Sequence, residues 1–351
     1  MSSSSPFLLL FTLLLSLPLI FLYAPTFIFH PRHSQISTAD ELDDLALFRR
    51  TALTSVAHRR SRTSVSHLGP THHKPKIAFL FLTNTNLHFA PLWEKFFKGN
   101  ERFYNIYVHA YPSSAVSSPG GVFENRFIAA KNTQRSSPTL ISAARRLLAT
   151  AILDDPLNSY FALVSQHCIP LHSFRFTYRT LFPGSTRELT HPTSYIEILS
   201  DEPQLWDRYT ARGDDVMLPE VPFEKFRVGS QFYVLARRHA LLIVKDRKLW
   251  SKFRLPCINA DSCYPEEHYF PTLLSMADPK GCSHYTLTRV NWTGSTDGHP
   301  YTYSPPEVSS ELIGRLRQSN STRYSYLFAR KFSPDCLEPL LRLEEKIIFR
   351  D

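Results

Sequence analysis

The chain has 351 residues, 43% of them hydrophobic, and a formal net charge of +9, which suffices for one large α/β core plus a further short segment. Part of the basic excess lies in a polar stretch before Lys76, so the net charge says little about the substrate. Five cysteines, Cys168, Cys257, Cys263, Cys282 and Cys336, come without a CxxC or a paired-His element, which excludes the common zinc patterns.

Residues 6–29, PFLLLFTLLLSLPLIFLYAPTFIF, carry no charge and exceed the ~20 residues needed to cross a bilayer. They predict a transmembrane signal anchor, leaving residues 1–5 as a short cytosolic tail. A cleaved signal peptide is the alternative; it would need a basic n-region and a shorter apolar run of ~7–15 residues. The nearest positive charges, Arg32, Arg49 and Arg50, follow the segment, so the positive-inside rule alone favours the opposite topology to a lumenal C-terminal domain. Residues 30–74 are rich in Ser, Thr, His and Arg and read as a flexible basic stem. Nucleic-acid binding through this run is disfavoured beside a membrane segment.

From residue 75 onward strand and helix patterns alternate. KIAFLFLT (76–83) is a buried strand, LHFAPLWEKFFKG carries apolar residues at helical spacing and stops at Gly99, and FYNIYVHAY is a second strand. This is a βαβ unit, and it points to a nucleotide-binding α/β sheet. Residues 142–155 read as a helix, and YFALVSQHCIPL as a strand entering a loop. Ligands collect beyond the C-terminal ends of such strands, which makes Thr83, His109, Gln166 and His167 candidates for the nucleotide pocket. GxGxxG and GxxxxGK[ST] are both absent from the sequence.

The densest polar cluster is CYPEEHYFPT, with Glu266, Glu267 and His268 together. A carboxylate in a partly apolar pocket suits a general base; the bland reading is a helix start with Pro at N1 and two Glu complementing the dipole. The sequence has no D-x-D, so positive side chains would have to replace a diphosphate-bound cation. Arg330 and Lys331 interrupt one apolar segment and Arg315 and Arg317 another, to face either an anionic ligand or a carboxylate of the protein. Gly229-Ser230-Gln231 allows close approach of a ligand to the backbone, and Trp292 in a Gly- and Pro-bounded loop suits either sugar stacking or local packing. Asn291-Trp-Thr and Asn320-Ser-Thr are N-glycosylation sequons.

The ordered set PKIAFLFLT, PLWEKFFKG, YNIYVHAYP, RRLLATAILDDP, LVSQHCIPLHSF, GSQFYVLARRHA, CYPEEHYFPTLL, VNWTGSTDGHP and LFARKF resembles the plant branch of the core-2/I-branching β-1,6-N-acetylglucosaminyltransferase family. The resemblance implies a GT-A-like glycosyltransferase fold, with a Rossmann-like central sheet flanked by helices, over residues 75–351. It also implies a type II Golgi membrane protein with a lumenal domain, overruling the charge-based topology, and a UDP-N-acetylglucosamine donor used without a metal or other cofactor. Residue by residue, it places the catalytic base on Glu267, with Glu266 where the family has Asp. The diphosphate contacts fall on Lys331 and on Arg317, with Arg315 as the alternative, and acceptor contacts on Glu197, Arg208 and Trp292. Gln166 and His167 depart from the plant S-E-S-C-I-P pattern. Cys257 and Cys263 are the pair expected to form a disulfide. Asn320 is the sequon expected to carry a glycan, whereas one on Asn291 would crowd Trp292.

The resemblance, with the missing D-x-D, thus implies an inverting, metal-independent transferase acting on a glycan acceptor, a cell-wall polysaccharide or a glycoprotein. A catalytically silent, membrane-tethered glycan-binding or trafficking protein on the same fold is the alternative.

Overall fold

The computed structural model describes residues 36–63, 74–184, 192–295, 298–319 and 324–351. The tail at 1–5, the predicted anchor at 6–29 and the sequon at Asn320 lie outside these residues; among the described residues no helix is long and apolar enough to cross a membrane. The reading of 30–74 as a flexible stem needs correction. Helix α1 (Thr38–Thr63) runs through its middle, begun by an Asp40 N–H that donates to Ser37 Oγ at 3.1 Å. Composition hid this helix because it is averaged around the axis, whereas Asp44, Phe48 and Thr51 fall on one face at spacings of four and three, and all three are buried. That face docks on the later helices Pro138–Asp154 and Arg237–Lys245. The docking is reinforced by an Asp44–Arg146 ion pair and by Lys131, whose Nζ lies 2.6 Å from both Asp40 and Asp43.

The central sheet starts with β1 (Lys76–Thr83), buried in every residue after the first. Helix α2 (Ala90–Phe97) follows with Pro in its first turn, where the missing N–H costs nothing, and buries Leu92, Trp93, Phe96 and Phe97. Strand β2 (Tyr104–Ala110) then pairs parallel to β1. Helix α3 (Pro138–Asp154) is capped by Ser137, whose Oγ accepts the Thr139 N–H at 3.2 Å. It leads into β3 (Asn158–Ser165), parallel to β1 on its other side. The sheet has six strands in the order β2-β1-β3-β6-β5-β7. Beyond β3 lie β6 (Val234–Ala236) and β5 (Ser194–Glu197), each antiparallel to its inner neighbour, and β7 (Cys282–His284), parallel to β5.

Successive side chains of β1 point to opposite faces, so each face feeds its own core. Phe79 and Phe81 pack edge-on against Trp93. Ala78, Leu80 and Leu82 join α3 and helices α6 (Arg237–Lys245) and α8 (Pro265–Ala277) on the other face; between α3 and α6 in the chain come α4 (Phe174–Leu181) and α5 (Leu205–Thr210), and between α6 and α8 comes α7 (Trp250–Phe253). This is the central sheet flanked by helices that a GT-A-like fold requires.

A second, three-stranded sheet sets the site. Strand β9 (Phe328–Arg330) pairs antiparallel with β4 (Ile169–Pro170) and parallel with β8 (Thr288–Val290). It carries Arg330 and Lys331 to the C-terminal edge of β1 and β3. The chain closes with α9 (Ser310–Arg317) and α10 (Leu337–Leu343). Cys257 and Cys263 are disulfide-bonded, with Cα atoms 6.2 Å apart, and Cys168, Cys282 and Cys336 are buried free thiols.

Candidate active site

Two cavities open along the C-terminal edge of the sheet. One, of 440 Å³, is walled by Thr83 and Asn84 after β1, by Gln166 and His167 after β3, and by Arg330 and Lys331. The other, of 560 Å³, is walled by Glu197, Arg208, Gly229, Ser230 and Arg289. Glu267 and Trp292 line both. A carboxylate shared by two adjoining cavities is the central geometric feature of this molecule.

Glu267 stands in the first turn of α8 behind Pro265, so the Pro-Glu-Glu segment is a helix start that also sets a carboxylate in the wall of both cavities. Arg208 of α5 donates from Nη1 to Glu267 Oε2 at 2.9 Å. Burial pushes the Glu267 carboxyl above the ordinary range, and the Arg208 guanidinium draws it back down. Its neighbour Glu266 borders the first cavity alone; burial raises it to about 7, and its Oε1 accepts the Ser136 N–H at 3.1 Å. His268 is buried against Phe226, with ring centroids 4.5 Å apart, and burial lowers it to about 3. It therefore stays neutral, and its Nδ1 donates to the Arg227 carbonyl at 2.9 Å.

In the first cavity the loops after β1 and β3 are tied together by Gln166 Nε2, which donates to Asn84 Oδ1 at 2.7 Å. His167 Nδ1 donates to the Phe332 carbonyl at 3.2 Å and the Phe332 N–H returns to the His167 carbonyl at 3.3 Å. This reciprocal pair holds the Lys331 backbone beside the β3 loop. Burial and the nearby Lys331 lower His167 to about 4, so the ring is neutral. Arg330 lays its guanidinium over the Phe232 ring at 4.2 Å, and its Nε has no hydrogen-bond partner among the described residues. A cation kept short of partners in a cavity wall is suited to an anionic ligand.

Three sequence-based assignments to this cavity need correction. His109 lines neither cavity; it is fully buried on the α3 side of β2, its Nε2 accepts the Lys131 N–H at 3.2 Å, and burial lowers it to about 4. Arg317 is consumed by the C-terminus: it donates to the carbonyls of Leu171 at 2.8 Å, Ile347 at 2.8 Å and Ile348 at 3.0 Å. Arg315 is exposed on α9 and also lines neither cavity. The arginines that do reach the first cavity are Arg330 and Arg135. Arg135 sits in a loop with no periodic pattern, so nothing in the sequence singled it out.

In the second cavity Glu197 Oε2 accepts the Ser230 N–H at 2.9 Å, and burial with the facing Glu267 raises its carboxyl. Gly229 is needed for proximity: a Cβ there would meet the Glu197 carbonyl oxygen at 2.0 Å, and the Gly229 N–H donates to the Glu267 carbonyl at 2.9 Å. Trp292, 53% exposed, overhangs the mouth of both cavities, and the Asn291 side chain beside it accepts the Thr293 N–H at 3.0 Å. Arg289, stacked 5.1 Å from the Tyr326 ring, completes this wall and was missed in the sequence. Among the described residues no three His, Cys, Asp or Glu side chains gather as metal ligands.

A cation-lined cavity and a carboxylate- and aromatic-lined cavity that meet at one glutamate, on an open α/β sheet, have the layout of a group-transfer enzyme. Residues 77–317 match the family model of the Core-2/I-Branching enzyme, and the chain belongs to that family. It is also similar to Glycosyltransferase BC10 of Oryza sativa subsp. japonica, 28% identical over 308 residues that cover 74% of each chain.

Proposed function

We propose that this glycosyltransferase moves N-acetylglucosamine, or a related sugar, from a UDP donor to a hydroxyl of a glycan acceptor, with inversion and without a metal ion. The carrying observation is that Glu267 is common to the two cavities. The donor occupies the cavity of Lys331 and Arg330, and the acceptor that of Glu197, Arg208 and Trp292. An acceptor hydroxyl attacks the anomeric carbon on the face opposite the leaving group while its proton passes to Glu267. The anomeric carbon–oxygen bond to UDP breaks, and the diphosphate takes the electron pair. Lys331 and Arg330 are the cations placed to stabilise that developing charge, the part an electrostatic clamp plays when no divalent ion does so. Arg208 opposes the effect of burial by favouring the ionised form of Glu267, and its hydrogen bond fixes Oε2 on the acceptor side.

We place the domain in the Golgi lumen, carried on residues 6–29 as a type II anchor, and take its acceptor to be a wall polysaccharide or a glycoprotein. The reading is tested with purified full-length protein in detergent and a panel of UDP-sugars, by following UDP release in the presence of EDTA. Turnover that survives EDTA, with a product of inverted anomeric configuration by proton NMR, supports it. Turnover that needs a divalent ion, or retention of configuration, overturns the mechanism.

A further inference from the structure

Arg317 is held elsewhere by three backbone carbonyls, which leaves open the place of a third positive group beside Lys331 and Arg330 at the leaving diphosphate. Arg135 fits it. The residue is exposed and lines the same cavity as Arg330 and Lys331. Its guanidinium bridges the cavity rim: Nη1 lies 2.6 Å from His299 Nε2, Nη2 donates to the Gly298 carbonyl at 2.9 Å, and the Tyr264 ring lies 5.7 Å below. Neither an imidazole nor a carbonyl carries negative charge, and Arg135 makes no ion pair among the described residues. Its charge acts on both groups that matter, opposing Arg330 and helping to keep Glu267 ionised.

The loop is built to hold it there. Ser136, next in the chain, has φ +55°, a left-handed conformation that non-glycine residues adopt at a cost. That conformation is held by the Ser136 N–H donating at 3.1 Å to Glu266, a side chain only 4% exposed. Glu266 also adjoins Glu267 in the first turn of α8. Of the two adjacent glutamates, Glu267 lines both cavities, and Glu266, in the wall of the first alone, fastens the loop that carries a cation there.

We propose that Arg135 binds the donor diphosphate together with Arg330 and Lys331, and that Glu266 is the residue that positions it through the Ser136 amide. This rests on the assignment of the first cavity to a UDP donor. When the ligand enters, the guanidinium exchanges the His299 contact for phosphate oxygens; a charged acceptor is the stronger partner for a guanidinium than a neutral imidazole.

Calorimetric titration of UDP and of uridine into purified full-length protein separates the possibilities. Arg135→Gln is expected to weaken UDP about tenfold, the scale of one charge-assisted hydrogen bond, to leave uridine unchanged and to keep the thermal unfolding temperature. Arg135→Lys should recover part of the loss. Glu266→Ala should weaken UDP as Arg135→Gln does, whereas Glu266→Gln, which keeps an acceptor for the Ser136 amide, should not. If Arg135→Gln binds UDP as tightly as wild type while Lys331→Ala does not, the role of Arg135 is overturned and the donor assignment stands. An equal loss of UDP and uridine affinity in Arg135→Gln overturns the phosphate role as well. If wild type binds UDP no better than uridine, the donor assignment itself falls.

Discussion

Replacing Glu266 by Gln makes a stability test whose sign and size follow from the structure. Glu266 is 4% exposed, and burial lifts its carboxyl from an ordinary 4.5 to about 7. A group whose pKa is higher in the folded state than in the unfolded one stabilises the fold while protonated in both. That contribution is complete below about pH 4.5 and is lost as pH rises through about 7. The gap corresponds to about 3 kcal/mol. Gln is neutral at every pH and keeps an oxygen for the Ser136 N–H, so the variant escapes this loss. For a domain of this size about 3 kcal/mol moves the midpoint by roughly 5 °C. Thermal unfolding of both proteins, followed by circular dichroism from pH 4.5 to 8, should show the variant gaining on wild type by about that amount between the two ends. Any constant offset from the new amide cancels in this difference. A gap between the two proteins that is flat across pH, or that narrows as pH rises, would refute the buried, proton-retaining Glu266 described above.

Other perturbations address the reacting centre and its frame. Arg208→Gln removes the group that draws the Glu267 carboxyl down, so the acidic limb of kcat/KM, which on the proposed mechanism reports protonation of Glu267, should move to higher pH in the rate profile; an unmoved limb would detach Glu267 from it. Arg317→Gln should leave the Kd for UDP unchanged, because Arg317 serves the Leu171, Ile347 and Ile348 carbonyls. It should instead cost about 1–3 kcal/mol in urea unfolding, the scale of partly buried acceptors left unpaired. Gly229→Ala forces a Cβ against the Glu197 carbonyl oxygen, so kcat should fall and stability drop by about 1–3 kcal/mol as the backbone is displaced, both measurable on the purified protein.

Much of the frame was legible because its segments are locally unambiguous. Residues 76–83 form an apolar run ended by polar residues, and Phe89, Leu92, Trp93, Phe96 and Phe97 repeat at helical spacing and are all buried. Pro265 followed by two glutamates announced both the start of α8 and the carboxylate at its first turn. Elsewhere the information was nonlocal. The face of α1 that carries Asp44, Phe48 and Thr51 is polar enough to pass for stem until α3 and α6 are present to receive it. No spacing rule separates Arg317 from Arg330, since the fate of Arg317 is set by carbonyls at Leu171 and at the C-terminus, far along the chain. His109 ends a strand just as Thr83 does, but it shares its face with Tyr107, which packs in the core toward α3. Arg135 depends on a left-handed serine and a buried glutamate 130 residues away in the chain.

The central claim is that Glu267 removes the acceptor proton at the junction of the two cavities. Its most direct test pairs kcat with UDP affinity in Glu267→Gln, a replacement that preserves shape and one hydrogen-bonding oxygen. Loss of a general base predicts kcat lower by ~10²–10⁴, with the Kd for UDP within about twofold of wild type. A variant that turns over UDP-sugar at the wild-type rate, or that loses UDP binding in proportion to its activity, would contradict the claim.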